Sequence, residues 1–358
     1  MKNAIDKNWR VAWLSVGCLV AITVLVVACL PSNPTVVKAQ LSEQPQLIKD
    51  QNSLTETDKE SLLIIRMAGK NFEQVVLGLS EELTEEFSLH QLIVNKSTKL
   101  PQIAPQIQQI APKIVVLMDN IAINLYHDYQ ASLPPAAAMI PSVSVMASFM
   151  DLAIKDLKNA RGIFYEVPLV TSVVSLRAIL SSQTFAKIGV IHRKFMTPAI
   201  QLNQKYCAKE GVELIAYPIP NKGDIQAELQ TALNQLGKQV NALWIPNDNQ
   251  LINAQLLQSV WLSFAKDFKK PILTGVESLV APQFDFGTFA VIPDPIRLGS
   301  QAAEIVFEAL DNDWELETGQ VTPPLSVYKI INLEQAERLY QVDQQKLQNM
   351  VDKVLTGS

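Results

Sequence analysis

Polar side chains that could hold a small molecule lie directly after apolar runs, where predicted strands end. The densest group is the sequence Asn-Asp-Asn at residues 247–249, which follows the apolar run 242–245. One explanation is that a single Asp or Asn caps the next helix by accepting a backbone N–H. The other is that Asp248 binds an ammonium group while free N–H groups of the helix bind a carboxylate. Asp248 and Asn249 are therefore candidate ligand contacts, with capping as the alternative.

Equivalent positions in the first half of the chain also carry polar side chains. Asn71 follows the first predicted strand, Asp119 follows the third and Ser148 follows the fourth. The carboxyl ends of parallel strands meet at one edge of a sheet, where such folds bind ligands. We take all three residues as candidate ligand contacts, and helix capping is again the alternative.

Other candidates come from the later strand ends and from predicted loops. Glu277 follows the predicted strand 271–274, and Asp294 stands between two prolines in what could instead be a rigid crossover. Tyr165 and Phe195 lie in predicted loops near the join of the two halves. Either ring could stack on a planar ligand or pack into the core.

Arrangements typical of catalysis are not found in the sequence. Neither glycine-rich phosphate motif nor a GxSxG nucleophile turn occurs. The histidines, at positions 90, 127 and 192, show no metal-binding spacing, and Cys207 is best explained as a buried thiol. We therefore predict a protein that is not an enzyme and uses no metal or cofactor.

These candidates are positioned by alternating strands and helices. Strands are predicted at 62–65, 90–94, 114–118, 137–145, 187–191, 212–217, 242–245, 271–274 and 288–292. Helical spacing of apolar residues separates them, as in the helix predicted over 251–264. The β-α-β-α order restarts near residue 186. It predicts an α/β protein with two lobes, each a parallel sheet covered by helices on both faces, with a ligand cleft between them.

The first thirty residues are typical of an export segment. Lys2, Lys7 and Arg10 precede an uncharged apolar run over 11–30, which ends in the lipobox-like sequence Val-Val-Ala-Cys. Either Cys29 is acylated and becomes the mature N-terminus, or the run stays as an uncleaved membrane anchor. Both interpretations place the rest of the chain on the periplasmic side of the cell envelope, attached to a membrane.

Composition sets the remaining limits and the domain boundaries. The chain has 358 residues, 48% of them hydrophobic, and a net charge of −5, which argues against a nucleic-acid partner. We predict a signal or anchor over 1–29 and a flexible tether over 30–58. The first lobe is predicted over 59–165, joined by parts of 290–358, and the second over 166–290.

Four stretches resemble one family, the bacterial ABC transporter substrate-binding proteins of the tryptophan/tyrosine type. The strand and loop at 242–249 resemble its Asp-Asn loop, and residues 187–191 resemble the strand that opens its second lobe. Residues 294–309 are similar to its Leu-Gly-x-Gln-Ala-Ala helix, and residues 323–336 to its C-terminal signature. The resemblance covers roughly residues 60–345.

The resemblance implies a type I periplasmic binding fold with three crossovers between the lobes. It implies a small organic ligand, an amino acid or aromatic metabolite, bound by closure of the lobes and delivered to an ABC permease in the inner membrane. Asp248 and Asn249 match the family's loop. A second hypothesis stays open, in which a non-transport envelope lipoprotein or sensor uses the same fold to contact another protein.

Overall fold

The computed structural model describes residues 45–49, 59–180 and 185–357. The predicted export segment with Cys29, and the predicted tether apart from residues 45–49, lie outside the described residues. In the described part of the chain, no helix has both the length and the apolar character needed to cross a bilayer.

Strands alternate with helices along the described chain. The strands are β1 (Gln46–Lys49), β2 (Glu60–Met67), β3 (Phe87–Val94), β4 (Ile114–Met118), β5 (Ser142–Val145), β6 (Ala160–Ile163), β7 (Lys187–Arg193), β8 (Glu213–Ile219), β9 (Ala242–Ile245), β10 (Ile272–Thr274), β11 (Phe289–Pro293), β12 (Val321–Thr322), β13 (Val327–Asn332) and β14 (Lys353–Leu355). The helices are α1 (Lys70–Leu83), α2 (Leu100–Ile110), α3 (Asp119–Ser132), α4 (Met150–Ala153), α5 (Leu169–Ile179), α6 (Thr197–Lys209), α7 (Ile225–Leu236), α8 (Ala254–Leu256), α9 (Leu262–Phe268), α10 (Pro295–Asp311), α11 (Leu333–Leu339) and α12 (Gln344–Met350). Short 3₁₀ helices cover Lys194–Met196, Glu277–Val280 and Pro282–Phe284, and a π-helical turn, Leu257–Trp261, joins α8 to α9.

The first lobe is built on a seven-stranded sheet in the order β1-β3-β2-β4-β5-β6-β12. All neighbouring strands are parallel except β1, which runs antiparallel to β3. β4 is buried along its whole length, as is expected for a parallel strand covered on both faces. One apolar cluster lies on the side of α1 and α10, and a second lies on the side of α2 and α3.

The tightest helix contact of the first lobe joins α1 to α10, the segment that resembles the family's glycine-containing helix. A Cβ added at Gly78 would lie 2.0 Å from the carbonyl oxygen of Ile296, and one added at Gly299 would lie 2.2 Å from that of Val75. Both distances are far below normal packing. The two glycines therefore allow the helix backbones to touch, which fixes α10 in the first lobe.

The second lobe is built on another seven-stranded sheet, in the order β14-β13-β11-β10-β9-β7-β8. The strands from β7 to β11 are parallel, and β13 runs antiparallel to β11. The carboxyl ends of β7, β9 and β10 therefore lie along one edge of this sheet. The observed α/β architecture, with two parallel-dominated sheets and helices on both sides of each, confirms the predicted fold class.

The chain passes between the lobes after β6, between β11 and α10, and after β12. The crossing segments are bonded to each other: the N–H of Phe164 donates to the carbonyl of Thr322 at 2.9 Å, and that of Asp294 to the carbonyl of Ser326 at 3.1 Å. The side-chain amide of Gln301 bonds backbone groups of the last crossing segment at 3.0 Å. The segments that join the lobes are thus connected to each other by hydrogen bonds.

Several elements differ from the sequence expectations. Residues 46–49 of the predicted tether form the edge strand β1, paired with β3. The predicted strand over 137–145 begins only at Ser142, directly after Pro141, which has no N–H for a sheet ladder. The helix predicted from residue 251 begins at Ala254 instead, because Asn253 caps it by accepting the N–H of Leu256 at 2.9 Å.

Strand β6 and helix α5 are among the elements that were not predicted from the sequence. Strand β6 is only four residues long and contains Arg161, so it lacks an apolar run. Helix α5 is apolar on most of its sides because it is largely buried, and this removes the helical periodicity by which a surface helix is identified.

Candidate functional site

The strand ends of both lobes border one cavity of about 600 Å³. The first lobe contributes Asn71, from the first turn of α1, and the first crossing segment contributes Tyr165. The second lobe contributes polar side chains that follow β9 and β10, and one from β14. These are Asn247, Glu277, Ser278, Gln283 and Lys353. The cavity is therefore lined by polar groups from both lobes.

An ion pair lies on the second-lobe wall of this cavity. The Nζ atom of Lys353 is 2.7 Å from Oε1 of Glu277, and the two side chains are 39% and 28% exposed. Both charges thus remain open to water at the cavity wall. Such a pair can exchange its internal contact for a ligand that carries both a cation and an anion.

Tyr165 gives the cavity an aromatic wall with a polar end. Burial, strengthened by the negative charges of Glu277 and Glu166, raises the pKa of its hydroxyl to about 12. The hydroxyl therefore keeps its proton at physiological pH and can act as a hydrogen-bond donor.

Asp248 is fully buried and does not offer a free carboxylate to a ligand. Its two oxygens accept from Nε and Nη2 of Arg193 at 2.7 and 2.8 Å, and Oδ1 also accepts the N–H of Gln250 at 2.9 Å. The expected partner of Asp248 was a ligand ammonium group, and its place is taken by the guanidinium of Arg193. Asn249 is exposed in the following turn and does not line the cavity.

Phe195 lies beside this ion pair, in the short 3₁₀ helix that follows β7. The guanidinium carbon of Arg193 is 4.6 Å from the centre of the Phe195 ring, within cation–π distance. Phe195 also contacts Phe149 of the first lobe, with ring centres 4.9 Å apart and planes at 81°. Phe195 therefore packs against the protein's own side chains and does not line the cavity.

In the first lobe, Asp119 is the first residue of α3 and Ser148 lies in the loop after β5, and neither residue lines the cavity. Asp119 has φ 84°, and its carboxylate accepts the N–H of Ile121 at 2.8 Å. Burial raises its pKa, opposed by that hydrogen bond and by Lys96. The side chain of Asn120 bonds both backbone groups of Ser148 at 3.0 Å, which ties the first turn of α3 to the loop after β5.

Asp294 is placed as a helix cap. Its side chain accepts the N–H groups of Ile296 at 3.0 Å and Arg297 at 3.2 Å, at the start of α10. Among the sequence candidates, the structure thus brings Asn71, Tyr165 and Glu277 together at one cavity.

Sequence reasoning missed residues whose partners are distant in the chain. Arg193 was not among the candidate residues, and its partner Asp248 is 55 positions later. Lys353 lies 76 positions after Glu277, in a short strand without a clear apolar pattern. Asn247 was noted within the polar loop but not selected, although it follows β9 directly.

Groups that could do other chemistry are buried or dispersed. Burial raises the pKa of the Cys207 thiol to about 11, so it is largely protonated at physiological pH. Burial also lowers the pKa of His192, whose ring contacts the carbonyl of Arg193 at 3.0 Å. No group of metal-binding side chains occurs among the residues that the structure describes.

Comparison with known proteins gives structural matches only. No family model and no curated protein sequence matches the chain. Among solved structures, an ABC domain from Streptococcus pneumoniae in complex with L-Trp matches with 17% identity, a TM-score of 0.55, and coverage of 83% of this chain and 100% of its own. The ligand-free, open structure of a substrate-binding protein with adhesive properties from Clostridium difficile matches with 14% identity, a TM-score of 0.58 and the same coverages.

A conserved domain protein from Vibrio cholerae also matches, with 17% identity, a TM-score of 0.53, and coverage of 83% of this chain and 99% of its own. At these identities the likeness concerns the fold. The chain has the two-lobed type I periplasmic-binding-protein-like fold that the sequence resemblance implied.

Proposed function

We propose that this protein is a membrane-tethered solute-binding protein on the periplasmic side of the cell envelope, which binds a small organic molecule for an ABC importer. The observation that carries the proposal is the cavity of about 600 Å³, lined by strand-end side chains of both lobes. Its size falls within the range of small-molecule sites. A ligand that contacts both Asn71 and Glu277 would favour the closed arrangement of the lobes.

The cavity wall suits a zwitterionic ligand such as an amino acid. Its ammonium group would be bound by Glu277 and its carboxylate by Lys353, in exchange for their 2.7 Å contact. The amides of Asn71 and Asn247 supply neutral donors and acceptors. Tyr165 offers a ring face, so an aromatic side chain or an aromatic metabolite also fits the proposal.

The structural neighbours support binding of a solute. The Streptococcus pneumoniae domain is in complex with L-Trp, and the Clostridium difficile protein is described as a substrate-binding protein. Transport through an inner-membrane permease is the finer part of the proposal. It rests on the sequence resemblance and on the predicted export segment with Cys29.

The test is thermal unfolding of the full chain with a panel of amino acids and aromatic acids. A ligand at about 100 times its Kd adds roughly 2.7 kcal/mol to the free energy of unfolding, which raises the Tm. We expect at least one compound to raise the Tm of the wild-type protein and to have a smaller effect on Glu277→Gln. A panel that leaves the Tm unchanged would count against solute binding.

One observation favours a second candidate, an envelope lipoprotein or sensor that uses the fold for protein–protein contact. Part of the space between the lobes is filled by Phe149 and Phe195, and Asp248 is already paired. This candidate predicts no stabilising solute, and it predicts that charge removal at Glu277 has no effect on function.

A further inference from the structure

An aromatic contact links the strand-end loops of the two lobes. Phe149 follows β5 in the first lobe, and Phe195 follows β7 in the second, with ring centres 4.9 Å apart. Within the described part of the chain, no side-chain hydrogen bond or ion pair crosses between these loops of the two lobes. Neither ring lines the polar cavity.

The second-lobe side of this contact is held by bonds within the second lobe. Arg193 is fixed by its two hydrogen bonds to the buried carboxylate of Asp248, and its guanidinium covers one side of the Phe195 ring. The backbone N–H of Phe195 donates to the side chain of Asn221 at 3.0 Å. Together these groups present a rigid surface that suits a ring in edge-to-face contact.

The first-lobe side is held by a loop under backbone strain. Phe149 has φ 56°, a left-handed conformation that bulky residues rarely adopt. Asn120 bonds both backbone groups of the preceding Ser148, and the N–H of Phe149 donates to the carboxylate of Glu166 at 2.8 Å. Strain of this kind persists where the surroundings impose it, and it is common at functional sites.

The ring of Phe149 also packs against a buried apolar cluster that belongs to the second lobe and includes Leu169 and Val173. The strained conformation of the loop after β5 therefore places a first-lobe ring against the second lobe. An exposed Phe149 would leave this surface of the second lobe open to water.

We propose that Phe195 and Arg193 form an aromatic-ring site on the second lobe, and that Phe149 of the first lobe fills this site so that the lobes stay together without a solute. The chemical class recognised is a planar aromatic ring. This inference goes beyond solute binding, because it concerns a contact that the protein makes with itself outside the polar cavity.

The test measures lobe separation in the full chain with no solute added. Dyes are attached through p-azidophenylalanine at positions 77 and 202, where Leu77 of α1 and Leu202 of α6 are 48% and 46% exposed. Energy transfer between the dyes reports the distance between the lobes. Phe149→Ala removes the ring, and Leu152→Ala, which removes an exposed side chain three residues later, is the matched control.

We expect Phe149→Ala to lower the transfer efficiency while Leu152→Ala keeps the wild-type value. Benzene should then raise the efficiency of Phe149→Ala toward the wild-type value and leave the wild type unchanged. Equal efficiencies for wild type and Phe149→Ala, or an equal fall in both variants, would overturn the proposal. If benzene does not change the transfer efficiency of Phe149→Ala, the proposal of an aromatic-ring site is overturned.

Phe149→Leu is a second variant for the case that Phe149→Ala does not fold, since it keeps apolar volume without the ring. Circular dichroism checks the folding of both variants. If only this variant folds, a wild-type efficiency in it overturns the proposal and a lowered one supports it. Because no solute is present, these outcomes do not depend on the cavity's function. A failed solute panel would refute solute binding and leave this result standing.

Discussion

Two ion pairs stand at the edge of the second lobe, and they differ in burial. The side chains of Arg193 and Asp248 are 16% and 1% exposed, and their bidentate contact is closed off from the cavity. The side chains of Lys353 and Glu277 are 39% and 28% exposed, and both line the cavity. The comparison shows that the role of an acidic side chain after a strand depends on its burial. Buried with a cation it stabilises the fold, and exposed to water it is available to bind a ligand.

The largest expected effect comes from breaking the buried pair. Arg193→Ala leaves the carboxylate of Asp248 buried with only the N–H of Gln250 as a partner. Such a loss typically costs about 3–5 kcal/mol of unfolding free energy. Urea unfolding measures it, with Arg338→Ala as the control, because the pair of Arg338 with Asp285 is exposed and is expected to contribute less than about 1 kcal/mol. If both variants lose the same free energy of unfolding, burial does not make the Arg193–Asp248 pair more important for stability than the exposed pair.

The exposed pair should show the opposite behaviour. Glu277→Gln is expected to change the free energy of unfolding by less than about 1 kcal/mol. It should weaken binding of a cationic or zwitterionic solute by about 10- to 100-fold, because a hydrogen bond to a charged group contributes roughly 1.5–3 kcal/mol. The control is Glu213→Gln, since Glu213 pairs with Lys187 on the surface and does not line the cavity. An unchanged affinity in Glu277→Gln would remove Glu277 from the site.

A smaller effect is expected from the hydroxyl of Tyr165. Tyr165→Phe keeps the ring at the cavity wall and removes a donor whose pKa burial holds at about 12. The loss of one hydrogen bond, about 0.5–1.5 kcal/mol, should weaken solute binding by about 2- to 10-fold. Titration calorimetry measures this, with Tyr206→Phe on α6 as the control. If both variants bind with wild-type affinity, the Tyr165 hydroxyl does not contact the solute.

The smallest effect concerns how Glu166 makes the free energy of unfolding depend on pH. The carboxylate of Glu166 accepts the N–H of Phe149. Burial raises the pKa of this carboxyl above its usual 4.5, and the charge of Asp151 adds to the rise, while hydrogen bonds from the backbone of Phe149, of Glu166 itself and of Tyr165 oppose it. The folded protein keeps the proton where the unfolded chain has lost it, so the free energy of unfolding falls as pH rises from 4.5 through the folded pKa.

Glu166→Gln should therefore gain stability relative to wild type as pH rises through that window, with no further gain above it. The pKa of Asp119 is also raised, but its contribution is common to both proteins and cancels in the difference. Urea unfolding from pH 4 to pH 8 measures the difference. Parallel pH profiles would mean that Glu166 titrates alike in the folded and unfolded chain.

Much of the architecture could be predicted because it follows from local apolar patterns. The buried runs of β2 and β4 and the helical spacing of α1 are visible without any partner. The edge strand β1 could not be predicted, because its apolar residues Leu47 and Ile48 are exposed and it exists through pairing with β3.

The site was harder to predict because its decisive features are pairings between distant residues. The polar loop after β9 identified the correct region, but nothing local to Asp248 indicates that Arg193 would neutralise it. Likewise, the residue type of Phe149 argues against its left-handed φ, which is accompanied by two distant contacts: the N–H of Ser148 donates to Asn120, and the N–H of Phe149 donates to Glu166. Sequence patterns locate strand ends. Tertiary packing determines which distant side chains contact each strand end.

The most direct measurement is a calorimetric titration of the panel compound that stabilises the protein most. The account predicts saturable binding of one molecule per chain, weakened by Asn71→Ala in the first lobe and also by Glu277→Gln in the second. Binding that no panel compound shows, or that changes with only one of these variants, would contradict a solute site shared by the two lobes.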